Sequence, residues 1–347
     1  MSISDGRAAL PTYTKKDFES GIDPRWCPGC GDYAIINQVQ RALPSAGVKR
    51  ENIVFVSGIG CSSRFPYYMN TYGMHTLHGR APAFATGLKL SRPELMVWVV
   101  TGDGDALAIG GNHFIHAMRR NLDIKLLLFN NRIYGLTKGQ VSPTSELGKK
   151  TKTTPHGSPD YPFNPPELAL GAGATFVARS IDVDGPHLAA ILKGATVHKG
   201  SVFVEVFQNC PVFNDGAYDF VTDKAVKAEA QLRMEQGKPL LFGKDNSKGI
   251  RFNPQTLSLE VVTIGEGGIT EKDILVHDAT REDPAIAYML AHLSVRPGFP
   301  TPVGVFRDVR RPTADELTWE KIDAAKAARK DVDLAKLLSG PDTWTIG

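Results

Sequence analysis

Apolar residues follow two periods along this chain. Short, nearly unbroken runs recur at Ile53 to Val56, Leu95 to Val100, Ile124 to Phe129, Thr175 to Ala178 and Val202 to Phe207. Runs of that length, closed by turn residues, read as strands buried on both faces. Between them the period becomes helical. Tyr33 to Leu43 can bring Ile35, Ile36, Val39 and Leu43 onto one face, and Ala81 to Leu90 carries small residues suited to packing on a sheet. Phe114, Ala117 and Met118 stand at helical spacing, Glu167 to Leu170 begins another helix, and Pro186 to His198 forms one more. This alternation predicts an α/β fold, a parallel sheet flanked by helices.

Other stretches lack either period. Met1 to Pro24 is polar and reads as an arm over a neighbouring surface, and Trp26 to Asp32 as a tight loop. Ser62 to Gly79 is irregular and rich in Tyr, Met and His. Arg132 to Pro166 is a long loop dense in Thr, Ser, Lys and Pro; its place after a strand suggests a lid or phosphate clasp. From Asn214 the pattern changes: a polar helix over Ala225 to Gln236, a strand pair in Arg251 to Ile264, an amphipathic helix in Thr280 to Leu293. A charged helix follows over Ala324 to Leu338, with Ala328, Val332, Leu334 and Leu337 as apolar anchors. The expected organisation is an arm (1–24), one domain (25–213), and an extension (214–347) that lacks a sustained core pattern and wraps a partner subunit.

Composition narrows the class. The 347 residues carry a formal charge of +3, which lends no support to a nucleic-acid or membrane-surface role. The first ten residues hold no apolar core of signal-peptide length, and no apolar run approaches membrane-spanning length. A cytoplasmic protein is the expectation.

The candidate chemistry gathers at strand ends. Leu95 to Val100 leads directly into Thr101-Gly102-Asp103-Gly104-Asp105, and Ile124 to Phe129 ends in Asn130-Asn131. In open parallel sheets the carboxyl edge is where ligands bind. Asp103 offers a carboxylate oxygen and Asn131 an amide oxygen, hard ligands suited to Mg²⁺. Gly102 and Gly104 leave backbone amides open to phosphate, with a helix N-terminus just beyond. A GDG at one strand end and an NN at the next, twenty-eight positions from Asp103 to Asn131, resembles the thiamine-diphosphate motif.

Only four cysteines occur: Cys27 and Cys30 as CxxC, Cys61 and Cys210 after strands. Four thiolates at one centre suit zinc or an iron–sulfur cluster, and a CxxC redox pair with two structural cysteines is a third reading. Spacing alone leaves these open.

One family joins both features. From about Trp26 to Pro211 the sequence resembles the β subunit of the 2-oxoacid:ferredoxin oxidoreductases, in WCPGCG, GIGCSSR, HGRAPAFATGLKL, GDGDALAIGGNH, LLFNNRIYGLTKGQ, SPT and NCP. The resemblance implies a thiamine-diphosphate-binding fold in which Cys27, Cys30, Cys61 and Cys210 hold one [4Fe–4S] cluster. It implies Mg²⁺ on Asp103, Asn131 and the main-chain carbonyl of Ile133. It lines the cofactor site with Gly60, Ser62, Gly102, Asp103, Gly104, Asp105, Asn131, Ile133, Gly135, Leu136 and Thr137. It implies an obligate α subunit supplying the aminopyrimidine-binding half, ferredoxin as electron acceptor, coenzyme A as acyl acceptor, and an (αβ)2 assembly.

The implied reaction is oxidative decarboxylation of a 2-oxoacid, with 2-oxoglutarate giving succinyl-CoA as the expected substrate and reductive carboxylation as the reverse. Pyruvate or a broad substrate range is the alternative within the family. A non-catalytic, zinc-stabilised assembly protein is the alternative outside it. Arg64, His75 and His78 are the candidate catalytic residues, Arg64 because its guanidinium can pair a carboxylate near Cys61. His78 and His75, with Arg80, could orient substrate or brace their loop. His113, His116 and Arg120 share a helix face and read as a solvated or partner-facing stripe; Lys138 could reach a phosphate.

Overall fold

The five apolar runs all become strands of one sheet in the computed structural model, which describes residues 11–328 and 333–346. The strands are β1 (Ile53–Ser57), β2 (Tyr72–His75), β3 (Met96–Gly102), β4 (Ile124–Asn130), β5 (Phe176–Ile181), β6 (Val202–Phe207), β7 (Gln231–Met234), β8 (Leu241–Phe242), β9 (Lys248–Asn253), β10 (Ser258–Thr263) and β11 (Thr301–Asp308). The main sheet runs β2-β1-β3-β4-β6-β5-β11-β7, and β10-β9-β8 form a small second sheet. From β2 to β5 every pairing is parallel; β11 pairs antiparallel with β5 and parallel with β7.

The helices are α1 (Asp32–Ala42), α2 (Ala81–Ser91), α3 (Asp103–Leu107), α4 (Gly111–Arg119), α5 (Pro165–Gly171), α6 (Gly185–Val197), α7 (Asp219–Thr222), α8 (Lys227–Ala230), α9 (Ala285–His292), α10 (Ala314–Ala328) and α11 (Leu334–Ser339). None among the described residues is long and apolar enough to cross a membrane.

The unbroken apolar runs have a simple cause. Successive strand residues point to opposite faces, and both faces are buried. Val54, Val56, Val97, Val99, Leu126 and Leu128 enter one core. Their neighbours Phe55, Trp98, Val100, Leu127 and Phe129 enter the other. Each such buried side chain contributes about 1.5–3 kcal/mol of transfer free energy, so the central strands are held firmly and their ends are fixed platforms.

Several expectations change outside the central sheet. The expected helix over 225–236 is instead α8 followed by the strand β7. A strand forms there because Leu232 and Met234 are buried beside β11 while Arg233 points out. The expected helix over 324–338 divides into α10 and α11; Val332 lies outside the described residues, and Leu334 and Leu337 are exposed. The strand pair within 251–264 is β9 and β10, which pair antiparallel, and the helix expected over 280–293 is the shorter α9.

Residues 214–347 also have a core. Leu232, Leu240, Ile250, Leu259, Leu290 and Phe306 join the main apolar cluster. Its contributors are scattered over short strands, so no long periodic segment advertises them. Of the N-terminal arm, residues 1–10 lie outside the described set, while Phe18 is fully buried in this chain's own core.

Candidate functional site

Four adjacent strands, β1, β3, β4 and β6, end on one edge of the sheet. Cys61 follows β1, Asp103 follows β3, Asn131 follows β4 and Cys210 follows β6. Parallel pairing is what brings residues so distant in sequence to one edge.

A cavity of about 450 Å³ opens there. Its lining includes Gly60, Ser62, Gly102, Asp103, Gly104, Asp105, Asn131, Ile133, Gly135, Leu136 and Thr137, together with Asp32, Ile59, His78, Tyr134 and Gln208. Asp103 is buried, and burial raises its carboxyl above the usual range against hydrogen bonds from Ser142 and Thr144. The Thr144 hydroxyl lies 2.6 Å from Asp103 Oδ2. Asn131 Oδ1 accepts the Ile133 amide at 3.1 Å, closing a tight turn that carries the Ile133 carbonyl. One buried carboxylate, one carboxamide and one backbone carbonyl make an all-oxygen donor set suited to a hard divalent cation.

Gly104 is required by a close approach. A Cβ there would stand 2.2 Å from the Tyr134 ring, and the Tyr134 hydroxyl donates to the Gly104 carbonyl at 2.8 Å. Burial, with Asp103 and Asp105 nearby, pushes the Tyr134 phenol up to about 12, so it stays a donor. GDG itself opens the short α3, with Gly102 at its N-cap, and Phe114, Ala117 and Met118 belong to the separate α4.

Asp105 organises rather than merely lines. Its Oδ1 accepts from the Gly79 amide at 2.6 Å, the Ile59 amide at 3.1 Å and His78 Nδ1 at 2.7 Å. Its Oδ2 accepts from the Thr101 hydroxyl at 2.6 Å. The loops after β1, β2 and β3 are thus tied to one carboxylate, and His78 is held against the cavity.

The four cysteines line a second cavity of about 290 Å³. It shares Cys61, Asn131, Gly135, Leu136 and Gln208 with the first. All four thiols are free. The Trp26 indole donates to the Cys61 carbonyl at 2.7 Å, pinning the CxxC loop to the end of β1. Gly135 stands between two of the cysteines: a Cβ there would be in ordinary contact with the Cys210 sulfur at 3.5 Å and the Cys61 sulfur at 3.6 Å. Burial and the Asp32 carboxylate push the Cys61 thiol up to about 12, and Cys30 is raised further by the same causes. Among the described residues no three His, Cys, Asp or Glu side chains are grouped to hold a single metal ion. Asp32 is itself buried with both carboxyl oxygens unpartnered, and burial pushes it up to about 7.

The other sequence candidates separate. Arg64 and Lys138 line the cysteine cavity, not the larger one. Arg64 Nε donates to the Tyr68 hydroxyl at 2.8 Å. His75 lies on the edge strand β2, exposed, with Nδ1 3.1 Å from the Tyr67 hydroxyl, and lines neither cavity. The long loop after Asn131 is fastened down: Ser145 donates to the Arg132 carbonyl at 2.7 Å and Lys149 Nζ to Asn214 at 2.5 Å. Its first residues, Ile133 to Thr137, line the larger cavity themselves, and Thr144 reaches Asp103. Sequence reading missed Tyr134 and Thr144, because their roles depend on where the loop folds back.

Residues 58–206 match the family described as thiamine pyrophosphate enzyme, C-terminal TPP binding domain. The chain is 53% identical to 2-oxoglutarate oxidoreductase subunit KorB of Mycobacterium tuberculosis over 345 residues, 98% of this chain and 91% of that protein. It is 48% identical to 2-oxoacid:ferredoxin oxidoreductase 1, subunit beta, of Aeropyrum pernix over 205 residues, 59% of this chain and 64% of that one. Among solved structures it is similar to the 2-oxoglutarate:ferredoxin oxidoreductase of Magnetococcus marinus with 2-oxoglutarate, coenzyme A and succinyl-CoA bound. That likeness has a TM-score of 0.75 and 34% identity, covering 96% of this chain and 98% of that one.

Proposed function

This chain belongs to the β subunits of the 2-oxoacid:ferredoxin oxidoreductases, components of an enzyme complex, and we propose that it carries the diphosphate-binding half of a site that converts 2-oxoglutarate and coenzyme A to succinyl-CoA and CO2. The observation that carries this reading is the pair of adjoining cavities on one sheet edge, one lined by oxygen donors and glycine turns, the other by four cysteines.

Asp103, Asn131 and the Ile133 carbonyl would hold Mg²⁺, and the buried Asp103 carboxyl fits because a cation would offset its cost of burial. Thiamine diphosphate, when bound, supplies an electron sink for decarboxylation. The chain's own residues shape and dry the cavity, and His78, steadied by Asp105, is the group poised to move a proton there. Cys27, Cys30, Cys61 and Cys210 would hold a [4Fe–4S] cluster that passes electrons to ferredoxin. Their shared cavity, beside the oxygen-lined one, supports this reading. The α subunit would complete the site, in an (αβ)2 assembly in the cytoplasm, and its pairing surface would include residues 214–347. The low-potential acceptor also makes reductive carboxylation accessible to the same groups.

The test is reconstitution. With its partner subunit, the chain should give a brown protein whose dye reduction requires both 2-oxoglutarate and coenzyme A; alone it should be inactive. Substantial turnover by the single chain, or an active complex without iron, would contradict the reading.

A further inference from the structure

A line of buried polar side chains leads from the C-terminal part of the chain to the loop after β4. Arg179 on β5 and Glu205 on β6 stand directly opposite in the parallel register and pair at 2.6 Å, both almost fully buried. Glu205 Oε1 accepts from Asn130 Nδ2 at 2.7 Å. That fixes which way the Asn130 amide points, because its oxygen must then face the other side. There Asn130 Oδ1 accepts the Arg132 amide at 3.2 Å and lies 2.9 Å from the Thr144 hydroxyl.

The Thr144 hydroxyl has one proton and two acceptors before it, Asn130 Oδ1 and Asp103 Oδ2. The contact to the carboxylate, at 2.6 Å, is the shorter, and a charged acceptor makes the stronger bond. At the other end, Arg179 Nη2 donates to Asn164 Oδ1 at 2.9 Å, and Asn164 Nδ2 donates to the Ala291 carbonyl at 2.8 Å. With that proton given to Asp103, the hydrogen-bonded line from α9, in the C-terminal part of the chain, ends through Asn130 Oδ1 on the Arg132 amide, in the turn that carries Asn131 and Ile133.

A buried ion pair is a poor device for stability, since an apolar pair of similar volume does as well. It is a good device for direction. We propose that Thr144 is a positioning residue that orients the Asp103 carboxylate, and that Arg179, Glu205 and Asn130 are positioning residues that brace the turn carrying Asn131 and Ile133, together readying the site for a divalent cation. This rests on the cofactor reading above. Groups that orient a metal ligand typically change metal affinity by about 10–100-fold when removed.

The test uses the assembled complex and the Mg²⁺ titration of thiamine-diphosphate binding, followed by calorimetry beside activity. Thr144→Val should raise the half-saturating Mg²⁺ concentration by about tenfold or more, with a much smaller loss of maximal rate at saturating Mg²⁺. Thr144→Ser should restore the wild-type midpoint. Glu205→Gln should shift the midpoint in the same direction, and it decides the matter if Thr144→Val does not assemble. A lowered melting temperature with an unmoved Mg²⁺ midpoint would overturn the proposal, because that is what a merely structural role does. Asp103→Ala separates the two levels. If it abolishes binding while Thr144→Val leaves the midpoint alone, only the positioning proposal fails; if it too leaves binding intact, the cofactor reading fails.

Discussion

His78 Nδ1 lies 2.7 Å from Oδ1 of Asp105, an oxygen that also receives the backbone amides of Gly79 and Ile59. With the carboxylate accepting, Nδ1 carries the proton and Nε2 is left to the cavity. The two residues thus form a histidine held in one tautomer by an acid that is itself held by the backbone. Asp105→Asn should lower kcat by about a hundredfold, within the range of a displaced acid–base group, and His78→Gln by at least as much. Bound thiamine diphosphate should stay near wild type in His78→Gln. Steady-state rates with cofactor content measured on the same samples check this; an unchanged kcat in both variants would remove His78 from the chemistry.

Cys210 follows β6 and shares a cavity with the other three cysteines. Cys210→Ser should lower iron content and abolish ferredoxin reduction, while thiamine diphosphate still binds. Iron analysis and visible absorbance report the result. Full iron retention with normal electron transfer would take Cys210 out of the ligand set.

Arg64 sits at the cysteine cavity with its Nε given to Tyr68. Its remaining N–H groups could pair the distal carboxylate of 2-oxoglutarate, and burying that carboxylate unpaired would be costly. Arg64→Met should lower kcat/KM for 2-oxoglutarate by about tenfold, equivalent to roughly 1.4 kcal/mol of transition-state stabilisation. Turnover of pyruvate, which has no such carboxylate, should fall less. Equal losses on both substrates would assign Arg64 to the cysteine loop and leave carboxylate recognition to the partner subunit.

Asp123 lies just before β4, at the end opposite the site. It pairs with Lys125 at 2.5 Å and Lys89 at 3.2 Å, all three buried. Burial pushes the Asp123 carboxyl up, but the two ammonium groups outweigh it and hold it well below the ordinary carboxylate range. A carboxyl whose folded pKa is depressed stabilises fully above its unfolded pKa of about 4, and that stability is lost as pH falls through the folded value. Asp123→Asn should therefore cost about 3–5 kcal/mol at pH 7, the cost of leaving buried charges unpaired. The gap between variant and wild type should narrow below about pH 4. Denaturant unfolding at pH 7 and pH 3 measures both; a gap that does not change with pH would contradict the assignment.

The parallel sheet was legible in the sequence because burial on both faces leaves unbroken apolar runs, as at Leu95 to Val100 and Ile124 to Phe129. Strand ends such as Asp103 and Asn131 were legible for the same reason, since turn chemistry stands where each run stops. β7 was not, because a four-residue strand with one exposed arginine carries too little pattern to oppose a helical reading. β11 went unseen; its Gly304, with φ of +133°, lies against Met234 and interrupts the run. Thr144 and Glu205 were invisible as site residues, since a hydrogen bond between side chains 41 positions apart leaves no local trace. His75 lies three positions before His78, yet it stands on the edge strand β2 and lines neither cavity.

If Asp103 anchors a divalent cation and, through it, a diphosphate, its loss must be felt in cofactor affinity. The direct measurement is calorimetric titration of Mg²⁺–thiamine diphosphate into the assembled complex, wild type beside Asp103→Ala. Asp103→Ala should lose more than about a hundredfold in affinity, above the range for a residue that only orients a ligand, with iron content unchanged. An unaltered affinity in the variant would contradict that role of Asp103.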